Sequence, residues 1–312
     1  MTTQSKFKGT FFFLFLLAFQ LFCSSHGKIP PLTLTQFPSP MIECTRSHQR
    51  VSDEFLPGQQ FQIDSLFANP VEIFLPSNIF AEKSVSLLLH FHGTSEAAKF
   101  AVSKASQPFV LVNINLGSGS SKYEQALLDK KIFSYLLKKV ERQVAACLEN
   151  FQQFDKIVIS SFSAGYGAVR AIIHFHENIE NIDGIILLDG LHTDYIPDRL
   201  VIARGGKLNV EKMKDFQTFA ELAVDGKKKL LIAHSEIFPG TYASTTETAD
   251  YLIQLLRLKR TPVLNWGPMG MQQVSEVRKN KFWVFGYAGN SAPDHVDFLH
   301  GLYFFLNFML EN

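Results

Sequence analysis

The chain has 312 residues, 46% of them hydrophobic and 19% charged, with 30 Lys and Arg against 29 Asp and Glu. A formal net charge of +1 leaves no basic surface for nucleic acid and no polybasic face for an anionic membrane. The length suits one large domain with a substantial core, and neither internal repeat nor low-complexity linker divides it.

The N-terminus reads as a signal peptide over residues 1–26. Lys6 and Lys8 precede the apolar run Thr10–Phe22, and Cys23 to Gly27 offers small residues for cleavage. The run is too short for a comfortable membrane span, so the expectation is export, with no membrane span in the mature chain. Lipidation at Cys23 is the lesser alternative, because Phe22 is bulky for lipoprotein processing. Residues 27–312 form the mature domain, in which Cys44 and Cys147 are available to pair in an oxidising compartment. Their spacing does not show that they meet.

Residues 28–60 read as irregular. Strands follow at Val71–Leu75, Val85–Phe91 and Phe109–Leu116; the second is nearly all apolar, as for a strand buried on both faces. The polar loop Gly117–Ser121 leads to a long helix expected over Tyr123–Glu149. Lys156–Ile173 (KIVISSFSAGYGAVRAII) comes next. Here a β-branched run stops at Ser163, with small residues at Ser161, Ala164, Gly165 and Gly167, and a helical pattern begins at once. Gly184–Leu188 is a strand, 192–226 a possible lid or insertion, and Asp215–Val224 a helix within it. Lys229–Ala233 is a strand, Ala249–Leu258 a helix, Phe282–Gly286 the last strand, and a closing helix begins near His295. This alternation implies a mostly parallel sheet with helices on both faces, its chemistry collected at the carboxyl ends of the strands.

A strand turning directly into a helix at a serine, with small residues two before and two after, is a nucleophile elbow. On these residues the chain resembles the α/β-hydrolase superfamily, with Ser161 where glycine is usual. The resemblance implies an α/β-hydrolase fold and a serine hydrolase in which Ser163 is the nucleophile. His92-Gly93-Thr94 resembles the oxyanion loop, which implies the amide of Gly93 or Thr94 acting together with that of Ala164. After the last strand, His295 opens the closing helix where the superfamily carries its catalytic histidine; His300 lies further inside. The acid is expected at Asp189, at the end of the apolar strand GIILL. Glu236 is the alternative, followed by Asp194, Asp250 and Asp297.

The spacing His90-x-His92 could suggest a metal pair, but no acidic or cysteine partner is near in sequence, and His174 and His176 diverge on a helix. No metal and no cofactor are expected. Pro239–Asp250 is rich in hydroxyls, and Thr245 or Thr246 is expected to cap the helix that follows. Tyr166 is placed to lean into the site, and Arg170 to serve structure or anion binding. The function expected is cleavage of a carboxylic ester, of small-molecule or polymer origin, through a Ser-His-Asp triad. A peptidase or amidase with the same triad, or a non-catalytic binding protein of the same fold, are the alternatives. The oligomeric state is not encoded in these motifs.

Overall fold

The computed structural model describes residues 39–44, 46, 56–82 and 84–312. Residues 1–26, expected from the sequence to be a signal peptide, lie outside the described residues. The strands are β1 (Gly58–Ile63), β2 (Val71–Pro76), β3 (Ser86–Phe91), β4 (Phe109–Ile114), β5 (Ile157–Phe162), β6 (Gly184–Leu188), β7 (Tyr195–Ile196), β8 (Lys207–Leu208), β9 (Lys229–His234), β10 (Thr261–Trp266), β11 (Gln272–Lys279) and β12 (Phe282–Tyr287). The helices are α1 (Ser95–Ser103), α2 (Ser120–Ala126), α3 (Ile132–Ala145), α4 (Tyr166–Ile173), α5 (His176–Glu180), α6 (Lys214–Val224), α7 (Thr245–Leu255), α8 (Ala292–His300) and α9 (Leu302–Glu311).

A 10-stranded sheet runs in the order β1-β2-β4-β3-β5-β6-β9-β12-β11-β10. From β4 across to β12 every pairing is parallel, while antiparallel strands close both edges. The central strands are apolar because both faces are covered. Leu87, Leu89, Ile159, Ile185, Leu187 and Ile232 face a core shared with α3, α4 and α6. Their neighbours Leu88, Val158, Ile186, Leu188 and Leu231 face a second core against α1, α8 and α9. Alternation along a strand thus serves two cores rather than core and solvent. This strand order, with a strand–turn–helix at the end of β5, is the α/β-hydrolase fold.

Several boundaries differ from the sequence reading. The long helix over Tyr123–Glu149 is two helices, because Asp129 interrupts it: its side chain accepts from the Lys131 amide (2.9 Å) and its carbonyl from Ile132 (3.0 Å), starting α3 afresh. The edge strands β1 and β10, and β11 beside the latter, carry Gln, Ser, Glu and Asn in place of an apolar run, and so escaped the pattern. Within 192–226, β7 and β8 form a small hairpin. The helix α6 buries Phe216, Phe219, Ala220 and Ala223 in the main core, as the crossover from β6 to β9 rather than as part of a cover. The cap of α7 is Ser244, not Thr245 or Thr246. Ser244 Oγ accepts from the Glu247 amide (3.1 Å), and Glu247 accepts in return from the Ser244 amide (2.8 Å). Thr245 instead accepts from the Leu191 amide, and Thr246 donates to the Ser235 carbonyl. Cys44 and Cys147 are both free thiols. Among the described residues no helix is long and apolar enough to cross a membrane.

Candidate active site

The carboxyl ends of β3, β5, β6, β9 and β12 bring the sequence-predicted residues together. Ser163 follows β5 with φ 45°, a left-handed conformation that costs a serine of order 1 kcal/mol and is held by its surroundings. The close packing explains the small residues. A Cβ on Gly165 would lie 2.3 Å from the Phe91 carbonyl oxygen of β3. One on Gly190 would lie 2.2 Å from the Ser163 carbonyl oxygen. Gly190 is therefore glycine because the elbow rests on it, and this places Asp189 directly beside the serine turn.

Asp189 also has positive φ (43°) and is 2% exposed. Its Oδ2 accepts from His295 Nδ1 at 2.7 Å and from Ser235 Oγ at 2.8 Å, and its Oδ1 accepts from the Ser235 amide at 3.0 Å. Burial works to raise the carboxyl pKa. The hydrogen bond and charge of His295, joined by both Ser235 donors, outweigh it and hold the carboxyl below its ordinary value. Among the described residues Asp189 is the carboxylate bonded to His295. The alternative Glu236 is exposed to solvent and does not reach it. Asp194 pairs with Lys212 and Asp250 with Arg260 (2.6 Å).

His295 sits in the first turn of α8, whose N-cap Ser291 and Asp294 form a reciprocal capping box. The Ser291–Asp294 pair fixes where the helix starts and so where the imidazole emerges. Its ring is fully buried and packs on Phe162, the residue before Ser163, with centroids 4.5 Å apart. His295 Nε2 has no partner among the described residues, so its contact with Ser163 is open. Such contacts are often long in an unliganded site and tighten around substrate. His300 lies further along α8, buried at the helix end.

A cavity of about 450 Å³ opens at Ser163. Ala164, Tyr166, His92, His192 and Tyr242 form much of its wall, with Ser39, Met41 and Ile42 on one side and Ser118 to Ser120 on another. Tyr166, expected from its place after the elbow to lean into the site, lines the cavity. Arg170 instead forms a bidentate pair with Glu124 (2.6 and 3.2 Å), tying α4 to α2 away from the cavity. On the loop that follows β3, no group among the described residues accepts a hydrogen bond from the Gly93 or Thr94 amide. His92 has φ 73° and Gly93 φ 103°, so the loop turns sharply off β3.

No family model matches the chain, and no curated protein matches it. Among solved structures, an esterase of Rhizomucor miehei is similar at 12% identity and TM-score 0.43, over 84% of this chain and 85% of that one. Carboxyl esterase 2 of Tuber melanosporum is similar at 12% identity and TM-score 0.44, over 95% and 97%. An S-formylglutathione hydrolase of Agrobacterium tumefaciens is similar at 11% identity and TM-score 0.45, over 83% and 97%. The fold is identified by strand order and the turn at Ser163, independently of these distant likenesses.

Sequence reasoning missed Ser235, His192 and Tyr242. Ser235 was readable in principle: β6 and β9 are parallel neighbours, so the residue just past β9 lies beside the one just past β6. His192 gave no signal, since its place at the cavity depends on the chain returning beside it at Ala243. Its Nδ1 donates to the Ala243 carbonyl (2.8 Å), and burial pushes its pKa down to about 4. Of the pair His90 and His92, His90 Nδ1 meets Ser160 Oγ (2.8 Å) and His92 Nδ1 meets the Tyr123 hydroxyl (2.9 Å). His174 and His176 lie at the surface beside Asp215 and Glu180.

Proposed function

We propose that this chain is a serine hydrolase that cleaves a carboxylic ester through an acyl-enzyme. The observation that carries the reading is the buried 2.7 Å bond between His295 Nδ1 and Asp189, made beside a strained serine that opens onto a cavity. An imidazole whose Nδ1–H is given to a carboxylate presents Nε2 as a base, which is the tautomer that acyl transfer needs. In this reading Nε2 takes the Ser163 proton as Oγ attacks the ester carbonyl. The charge that develops on the carbonyl oxygen is received by the Ala164 amide and that of Gly93 or Thr94, donors fixed in advance by backbone geometry. Asp189 stabilises the imidazolium while His295 returns the proton to the leaving alcohol. Water then repeats the cycle on the acyl-Ser163 ester. The leader over residues 1–26 supports placing this chemistry outside the cytoplasm.

The test is turnover of a short p-nitrophenyl ester and of the matching p-nitroanilide by the purified mature chain. We expect ester turnover that Ser163→Ala reduces by about a millionfold. Anilide turnover exceeding that of the ester would make the chain an amidase. Absence of both, in folded protein, would leave a binding module.

A further inference from the structure

Ser235 follows β9 just as Asp189 follows β6, and the parallel register of the two strands sets them side by side. Every polar group of Ser235 is committed. Its amide donates to Asp189 Oδ1 (3.0 Å) and its hydroxyl to Asp189 Oδ2 (2.8 Å). The hydroxyl oxygen accepts in turn from the Ile237 amide (3.2 Å), so its single proton is left to the carboxylate.

The peptide that follows is held on both sides. The Ser235 carbonyl accepts from Thr246 Oγ1 (3.0 Å) and from His234 Nδ1 (2.9 Å). A carbonyl can only accept, so His234 carries its proton on Nδ1, and that proton also meets the Thr246 oxygen (3.1 Å). The N–H of the same peptide, on Glu236, donates to the Gly289 carbonyl (2.9 Å). Gly289 packs against the cap of α8: a Cβ there would lie 2.6 Å from Asp294 Cγ, and Asp294 directly precedes His295. The turn at Ser235 thus touches the carboxylate through one peptide and the start of the histidine helix through the next.

From this arrangement we infer that Ser235 is a positioning residue for the triad, locking the Asp189 carboxylate in the orientation that serves His295 Nδ1. The inference rests on the serine-hydrolase reading above and deepens it. A carboxylate held only by His295 could turn about its last side-chain bond; three donors spread over two oxygens leave it one orientation. Asp189 and Ser235 are each 2% exposed, so water competes little for these bonds. The hydroxyl has a second effect, since it shares Oδ2 with His295 and draws off negative charge that would otherwise face the imidazole. Ser235 does not belong to the wall of the cavity, so its influence falls on kcat rather than KM.

The test compares Ser235→Thr with Ser235→Val in p-nitrophenyl ester turnover across pH, with Ser163→Ala as the control for the underlying reading. The two variants have the same shape and both keep the amide, so strain from the added methyl group is common to them; only Thr keeps the hydroxyl. A positioning role predicts that kcat of the Val variant falls about tenfold below that of Thr, with KM within about twofold. It also predicts that the acid limb of kcat/KM lies at higher pH in Val than in Thr, because a carboxylate with one donor fewer stabilises the imidazolium more strongly. Neighbouring titrations stay clear of that limb. Burial holds His92, His192 and His234 down to about 4 and Tyr242 up to about 12, and beyond His234 Arg260 is paired with Asp250. A hydroxyl that only served the Ile237 amide would lower the stability of Val and leave the limb in place. A Val variant within about threefold of Thr in kcat, or acid limbs that coincide, would overturn the proposal. If either variant does not fold, Ser235→Ala against wild type reads the same two quantities. Ester turnover that survives Ser163→Ala would refute the hydrolase reading itself, separately from Ser235.

Discussion

Asp189→Asn isolates the acid from everything around it. Asparagine is isosteric and tolerates left-handed φ, so the backbone at 43° is preserved. The difficulty lies in the hydrogen bonds. Both carboxylate oxygens act only as acceptors, Oδ1 from the Ser235 amide and Oδ2 from Ser235 Oγ and His295 Nδ1. An amide has one acceptor oxygen, so either orientation sets an N–H against a donor. Facing its oxygen to the Ser235 amide turns its NH₂ toward His295 and forces the imidazole to accept at Nδ1. The proton then resides on Nε2, where it cannot serve as base. Facing the oxygen to His295 opposes two N–H groups at Ser235 and leaves a buried donor unpaired, at about 1–3 kcal/mol. The expected outcome is a loss of roughly 10⁴-fold in kcat, the size found when a triad aspartate elsewhere is converted to asparagine. Steady-state hydrolysis of the p-nitrophenyl ester, with thermal unfolding as a fold check, measures it. Glu236→Gln, at an exposed position, should stay within about tenfold of wild type. An Asp189→Asn variant within tenfold of wild type, or a Glu236→Gln variant as impaired as it, would refute the assignment of the acid.

His295→Ala should match Ser163→Ala in severity, whereas His300→Ala should cost far less in kcat; the reverse ranking in the same assay would move the base. Gly190→Ala should abolish activity and lower the melting temperature, since its Cβ would fall 2.2 Å from the Ser163 carbonyl oxygen; a variant of normal activity and stability would show that the elbow does not rest there. Stability should fall on acidification from neutrality. Burial pushes His90 down to about 3, and His92, His192 and His234 to about 4, so between pH 6.5 and 4 the unfolded chain binds protons that the folded chain does not. These imidazoles' contribution is whole above pH 6.5 and declines as pH falls toward 4, each adding a slope of up to about 1.4 kcal/mol per pH unit. The depressed carboxyl of Asp189 acts in the same direction only below about pH 4. Urea midpoints at pH 7.5 and 5 check this, and equal midpoints would contradict it.

The parts of the fold visible in the sequence are those whose chemistry is local. Strands β3, β5, β6, β9 and β12 are apolar because helices cover both their faces, so they stand out as unbroken runs. The elbow is legible because Gly165 must clear the Phe91 carbonyl within a few residues of the strand that ends at Phe162. Strand β10 lies at the edge and β11 next to it, both largely half-buried or exposed, and their polar composition matches a loop as well as a strand. The break at Asp129 depends on one side chain competing for the backbone, which helical periodicity does not register. At the site, Asp189 stood out as a carboxylate ending an apolar strand, which asks for a buried partner. Ser235 and His192 did not, because their importance arises from neighbours distant in the chain: Ser235 from the parallel register of β6 and β9, His192 from the return of the chain at Ala243.

The central claim is that Ser163 is a nucleophile activated by His295. Incubation of the folded protein with a fluorophosphonate, followed by intact-mass and peptide analysis, tests it without knowledge of the substrate. The account predicts one adduct per chain, located on Ser163, absent from Ser163→Ala and slowed by orders of magnitude in His295→Ala. An adduct on another residue, or folded wild-type protein that remains unlabelled, would contradict it.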